Sequence, residues 1–183
     1  MTDTIIIGDG PGGLSAALFL AKNGQNVTVF GQDKTSMHWA LLYNYLGIPK
    51  ILGSDFQAVA REQVTGFGAT IKEQLVTNIK NTGSGFTVTT ESGDTHTSKY
   101  LVLAEGKALE LSKSLGLSIT DDGVDVDRDF RTSVENLYVV GRSIRIKRSQ
   151  AIISAGNGAT AALDILSREK GKDFNDFDSP PKE

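Results

Sequence analysis

Three glycines, Gly8, Gly10 and Gly13, stand close to the N-terminus in the spacing G-x-G-x-x-G. Each residue type in that spacing has a physical use. Gly8 permits a tight turn off a strand, Gly10 leaves room for a pyrophosphate to approach the backbone, and Gly13 lets a helix pack closely on a sheet. Asp33 lies 20 residues beyond Gly13 (33 − 13), where a carboxylate can accept hydrogen bonds from a ribose. The chemistry implied is the holding of a dinucleotide. The competing reading is an ordinary glycine-rich turn. Other chemistries are closed off, because the chain has no cysteine and only two histidines, His38 and His96. That removes disulfides, thiolate metal sites, a cysteine nucleophile and a CxxC redox pair, and leaves no histidine-rich metal site.

These residues need elements to position them, and the flanking sequence supplies them. Ile5, Ile6 and Ile7 form an uncharged β-branched run of the kind that a strand buried on both faces requires. After the glycines, Leu14, Ala17, Leu18 and Ala21 recur at helical spacing, and Gly24 reads as the residue that stops the helix. Val27 to Phe30 is a second apolar strand, completing a βαβ unit. The helix opening at the glycines would present unpaired N–H groups and the positive end of its dipole to phosphates.

Downstream, residues 34–53 are poorly periodic and hold His38 and Trp39. The segment reads either as a cover over a bound ligand or as an apolar lid packed on the sheet. His38 is either a proton donor beside the ligand or a surface or packing histidine. Ser54 to Gln57 has the form of a capping box, opening a helix with Phe56, Ala60, Val64 and Phe67 inward. The period then changes to two, predicting antiparallel strands over Ile71–Ile79, Gly85–Thr90 and Thr95–Ser98. Tyr100 to Ala104 predicts a further buried strand of the main sheet. A short helix is expected within 109–115, and brief strands over Val124–Val126 and Asn136–Val140. A last helix begins at Gln150, with Ala162, Leu163 and Leu166 inward, and stops at Gly171.

Composition bounds the class. Hydrophobic residues make up 39% and charged residues 22%, as in folded globular chains. A net charge of −3 gives no electrostatic case for general nucleic-acid or membrane-surface binding. No apolar run approaches the ~20 residues of a membrane helix. The N-terminal residues lack the basic region of a signal peptide, so a cytoplasmic location is the expectation. Residues 1–172 are expected to form one domain and 173–183 a polar, mobile tail.

Four blocks together, IIIGDGPGGLSAALFLAKNG, VTVFGQDK, YLVLAEGK and NLYVVGRSIRIKRSQAIISAGNGATAALDIL, resemble the thioredoxin reductase branch of the pyridine-nucleotide disulfide oxidoreductases. The resemblance runs from Thr4 to about Leu166. It implies an α/β, Rossmann-like, three-layer ββα fold with a central parallel sheet and a small antiparallel β-meander, and it implies FAD as cofactor. A plain NAD domain would instead place a second mononucleotide-binding half after residue 70. The implied cofactor contacts lie in five places. Gly8, Gly10, Pro11, Gly12 and Gly13 form the first, and Gly31, Gln32 and Asp33 the second. Asn44, in the segment resembling the family's Asn-aromatic-Pro-Gly, and Val76 are the third. Ala104, Glu105 and Gly106 are the fourth, and Gly141, Arg142, Gln150, Ala151 and Ile152 the fifth. The resemblance also implies a homodimer and a redox protein partner.

The departures carry equal information. The family's NADPH domain, with its CxxC, is absent between YLVLAEGK and GVDVDRDF. The family Asp that bonds the flavin's ribityl chain is replaced by Arg142, and the Thr of its Ala-Thr-Gly turn by Glu105. A guanidinium cannot accept the ribityl hydrogen bond but can pair with a phosphate. The basic run of Arg142, Arg145, Lys147 and Arg148 reads either as a phosphate or acidic-partner surface or as a solvated loop. Two functions are open: a flavin oxidoreductase fed by free NAD(P)H or a redox protein, and a flavin-binding sensor or regulatory module without turnover.

Overall fold

The computed structural model describes residues 2–180. In chain order, β1 (Thr2–Ile7) leads through the glycines into α1 (Pro11–Lys22) and β2 (Val27–Phe30). Two short strands, β3 (Leu41–Leu42) and β4 (Ile51–Leu52), pair with each other before α2 (Gly53–Gly66) and β5 (Thr70–Lys72). Then come β6 (Val76–Asn81), β7 (Phe86–Thr90), β8 (Thr95–Leu103), α3 (Glu110–Ser114), β9 (Ile119–Thr120), β10 (Gly123–Val124), β11 (Leu137–Val139) and α4 (Ala151–Lys170).

β1 sits at the centre of a seven-stranded sheet, with β2 parallel on one side and β8 parallel on the other. β5 extends the parallel set beyond β2, and β11 pairs in parallel with the C-terminal half of β8. The β6–β7 hairpin joins antiparallel to the N-terminal half of β8. The isoleucine run explains the central position, because a buried middle strand needs apolar side chains both ways. Ile6 faces a core shared with α1 and α4, whereas Ile5 and Ile7 face a second core under the β6–β7 hairpin and α3. This is the three-layer α/β arrangement expected.

α1 and α4 pack together through small residues. Ala16, Ala17, Ala161 and Ala162 are fully buried, and a Cβ on Gly158 would strike the Gly12 carbonyl. Gly24 and Gly171 both take positive φ just past their helices, as expected of helix stops. On the solvent side of this layer Asp164 of α4 accepts hydrogen bonds from Arg131 Nε (2.7 Å) and the Tyr138 hydroxyl (2.6 Å). Burial works against that carboxylate, but the two donors outweigh it and hold its pKa below the usual range.

Several expectations are corrected. Ser54 and Gln57 form no capping box: the helix begins at Gly53 with no side-chain cap, and Gln57 is drawn inward to another partner described below. Phe67 lies past the end of α2 and is exposed rather than inward. Ile71–Ile79 is not one antiparallel strand. Its start is β5, in the parallel set, and Val76 onward is β6 in the hairpin. Thr95–Ser98 and the expected strand from Tyr100 are parts of one strand, β8, which ends at Leu103 and changes neighbour from β7 to β11 along its length. The tail is anchored as far as Asp178, because Phe174 packs on the helical core and Lys22 pairs with Asp176 (2.8 Å) and Asp178. The last three residues of the expected mobile tail lie outside the described residues.

Candidate cofactor site

The C-terminal ends of the parallel strands carry the residues that the sequence singles out. Gly8, straight after β1, has φ +106° and lies so close to Ala104, after β8, that a Cβ would strike the Ala104 carbonyl. Gly13 closes the same turn from the other side, since its Cβ would strike the Gly8 carbonyl. Gly10 differs: a Cβ there would meet only Thr35 Oγ1, at 3.6 Å. Its position is therefore kept open toward a cleft and is not demanded by packing.

Two helices aim their N-termini at that cleft. In α1 the first intrahelical bond runs from Leu14 N–H to Gly10 O (2.9 Å), so the N–H groups of Gly12 and Gly13 have no partner within the helix. In α4, where Gln150 holds the N-cap position without a side-chain cap, the first such bond is Ser154 N–H to Gln150 O (2.9 Å). The two helix starts meet the end of β11 at one junction. A Cβ on Gly12 would lie 3.2 Å from Ser154 O and 3.3 Å from Gly141 Cα. Arg142 springs from this junction, in a 3-10 turn over Gly141–Ile144.

The cleft has a volume of about 950 Å³, within the range of small-molecule and cofactor sites. It brings together Gly8, Gly10, Pro11, Gly12, Gly31, Gln32, Val76, Ala104, Glu105, Gly106, Gly141, Arg142, Gln150 and Ala151. Gly13 lies behind the wall, as its packing role requires. Asp33, Asn44 and Ile152 do not line the cleft. Asp33 has φ +52°, and its carboxylate meets His38 Nε2 at 3.0 Å. His38 is thereby a surface partner of Asp33. Asn44 donates to Gln150 Oε1 (3.0 Å), tying the 43–48 loop to the start of α4. The side chain of Ile152 is exposed. The 34–53 segment is divided in its loyalties. Met37, Ala40 and Leu42 form cleft wall, while Trp39 is 91% exposed, which overturns the reading of that residue as packed lid.

The sequence reading passed over the residue that holds the site together. Asp9, between the first two glycines, is buried; it accepts a hydrogen bond from Asp33 N–H (3.0 Å) and pairs with Arg61 of α2. Gln57 Nε2 donates to the Asp9 carbonyl (2.5 Å), the partner that takes it from its expected cap. Gly31 must be glycine here, because a Cβ would strike the Asp9 side chain. The only local signal was an acid inside a glycine loop, and its partner is 52 residues away.

Glu105, the other departure, is also explained. Its two oxygens accept the N–H groups of Leu111 and Ser112, both at 2.8 Å, capping α3 from outside the helix. The cleft's remaining charged lining is largely cationic: Lys34, Lys107, Lys147 and Arg142, with Glu110 at its edge. No group of three His, Cys, Asp or Glu among the described residues could hold a metal ion. No helix among them is long and apolar enough to cross a membrane.

Comparison with known proteins gives the family. Residues 2–106 match the model of the pyridine nucleotide-disulphide oxidoreductase family. Among curated relatives, a ferredoxin–NADP reductase of Levilactobacillus brevis is 37% identical over 114 residues, 55% of this chain and 33% of that protein. A thioredoxin reductase of Helicobacter pylori is 32% identical over 114 residues, 58% of this chain and 36% of that one. The chain thus matches these relatives over about a third of their length. The fold of a thioredoxin reductase from Gloeobacter violaceus superposes with a TM-score of 0.87 at 17% identity, covering 97% of this chain and 99% of that one. Relatives of this kind are FAD-binding flavoproteins. The cleft fits that cofactor: Gly10 is open, two helix N-termini are free for a pyrophosphate, and Arg142 Nε and Gln74 Oε1 are buried without partners. With the model match spanning more than half its residues, the chain belongs to the pyridine nucleotide-disulphide oxidoreductase family.

Proposed function

We propose that the protein is an FAD-dependent oxidoreductase whose flavin exchanges electrons directly with a soluble donor and an external acceptor. The observation that carries this reading is the convergence on one cleft, at the strand ends, of two helix N-termini and Arg142, whose buried Nε has no partner. Bound there, FAD would supply the two-electron redox chemistry, since the chain has no thiols for thiol–disulfide exchange. The chain's own residues bind and orient. Gly12 and Gly13 offer N–H groups to a diphosphate, Phe30 and Val76 give apolar wall on the side of β2 and β6, and Met37 and Leu42 keep water from one flank. The Asn44–Gln150 bond fixes the 43–48 loop against the start of α4.

Without an internal dithiol, electrons have no thiol relay within this chain and pass straight from flavin to acceptor. The relatives named as ferredoxin–NADP and thioredoxin reductases support free NAD(P)H or a small redox protein as the other party. Anaerobic addition of NADH, NADPH and reduced ferredoxin to the FAD-loaded protein tests the reading. At least one donor is expected to bleach the flavin absorbance within seconds to minutes. A second reading, a flavin-binding sensor module, is favoured by the short link from β8 to β10, in which only α3 and β9 intervene. If no donor bleaches the flavin, that second reading replaces the first.

The proposal extends to a homodimer. Trp39, Leu41, Tyr43, Leu46, Leu52 and Val59 are exposed apolar side chains, more than a monomer's surface ordinarily leaves uncovered in neighbouring segments. Light scattering at micromolar concentrations is expected to give twice the chain mass. A single-chain mass at every concentration would refute the dimer.

A further inference from the structure

We propose that Arg142 is the diphosphate-recognising side chain of the cleft, which makes the site selective for nucleoside diphosphates and dinucleotides by charge. The inference deepens the FAD reading and rests on the same cleft, so its test uses a diphosphate that carries no flavin.

α1 has 12 residues and α4 has 20, and both direct the positive ends of their dipoles toward the junction of Gly12, Gly141 and Ser154. A guanidinium rooted at that junction adds a third positive group. Its Nε is buried and has no hydrogen-bond partner. A neighbouring carboxylate would normally resolve this, but Asp9 and Glu105, which line the cleft, are engaged elsewhere, and Glu110 is largely exposed. Asp9 serves Arg61 and the Asp33 N–H, and both oxygens of Glu105 serve the N-terminus of α3. Glu110 lies 3.7 Å from Lys113. Two helix N-termini and the root of Arg142 meet at this junction, and an anion bound there would give the buried Nε a partner.

The geometry favours a diphosphate over a single anion. The two helix starts supply separate sets of N–H donors, from Gly12 and Gly13 in one and from the first turn of α4 in the other. A guanidinium adds a planar fork that matches two non-bridging phosphate oxygens, which a point charge would not. Lys34, Lys107 and Lys147 around the cleft raise the local anion concentration without specifying shape.

The test is calorimetric titration of the wild-type protein, Arg142→Ala and Arg142→Lys with ADP and with FAD, each at low and at high salt. Thermal melts of the three proteins accompany it. Arg142→Ala is expected to weaken ADP and FAD by the same factor, roughly thirtyfold, because the diphosphate is what they share. Its affinities should also depend less steeply on salt than those of the wild type, which a purely structural role would not produce. Arg142→Lys should fall between the two, keeping the charge and losing the fork. Should the alanine variant fail to fold, the lysine variant decides: a severalfold loss for both ligands supports the assignment. Unchanged ADP affinity in a folded variant overturns it. Arg142-dependent ADP binding with FAD no tighter than ADP would uphold the diphosphate site and remove the flavin reading instead.

Discussion

Replacing Asp9 with alanine is expected to lower the stability of the fold by about 3 kcal/mol and to abolish cofactor binding with it. Asp9 is 5% exposed and its partner Arg61 lies between it and Glu73, 2.5 Å away on the outer side. Removing the carboxylate leaves a half-buried guanidinium with one exposed acid and orphans the Asp33 N–H. Breaking a buried pair from one side costs about 3–5 kcal/mol, and the surviving Glu73 contact places this case at the low end. The consequence reaches function because Asp9 joins three segments that line or support the cleft: the glycine loop, the 31–33 turn and α2. Asp9→Asn keeps an acceptor for Asp33 and is expected to lose less than the alanine variant. Urea unfolding followed by circular dichroism measures both. An alanine variant within 0.5 kcal/mol of wild type, the ordinary scatter for inconsequential surface changes, would show that the network holds nothing together.

Gly10→Val separates the fold from the ligand. Gly10 has φ −76° and ψ −179°, a conformation open to any residue, and its Cβ direction meets only Thr35 Oγ1 at 3.6 Å. The variant is therefore expected to fold with a melting temperature close to wild type. Its side chain would occupy the space left for a diphosphate beside the N-terminus of α1, and FAD binding is expected to weaken by roughly a hundredfold, about 2.7 kcal/mol. The contrast with Gly13 is instructive. There the Cβ would strike the backbone of Gly8, so substitution is expected to damage the fold itself. A Gly10→Val protein that is folded and holds FAD as tightly as wild type would move the diphosphate elsewhere.

What the sequence disclosed followed local rules. The β1–α1–β2 unit was legible because its isoleucines, glycines and helical apolar spacing each act within a few residues. The strand-end glycines at positions 31, 106 and 141 were found through the resemblance, and the structure gathers them in one cleft. The misreadings arose where a distant partner outbid a local one. Gln57 leaves its expected capping position for the Asp9 carbonyl, 48 residues away. β8 looked like two strands because its first half alternates, half covered by the hairpin, and its last four residues, Tyr100–Leu103, are buried on both faces. Asp33 carries the expected residue type at the expected spacing, and its contact with His38 is one that spacing alone does not announce. Arg61 had no signal at all, since an arginine on a helix face announces no partner.

The central claim is that the cleft is an FAD site, and equilibrium titration of the cofactor-stripped protein tests it most directly. FAD, FMN and NAD are each added to the wild-type chain, with Gly10→Val as control, and binding is followed by flavin fluorescence and calorimetry. One FAD per chain is expected, held at least tenfold more tightly than FMN or NAD and weakened about a hundredfold in the Gly10→Val protein. FMN or NAD binding as tightly as FAD, or FAD binding that ignores the Gly10 substitution, would contradict it.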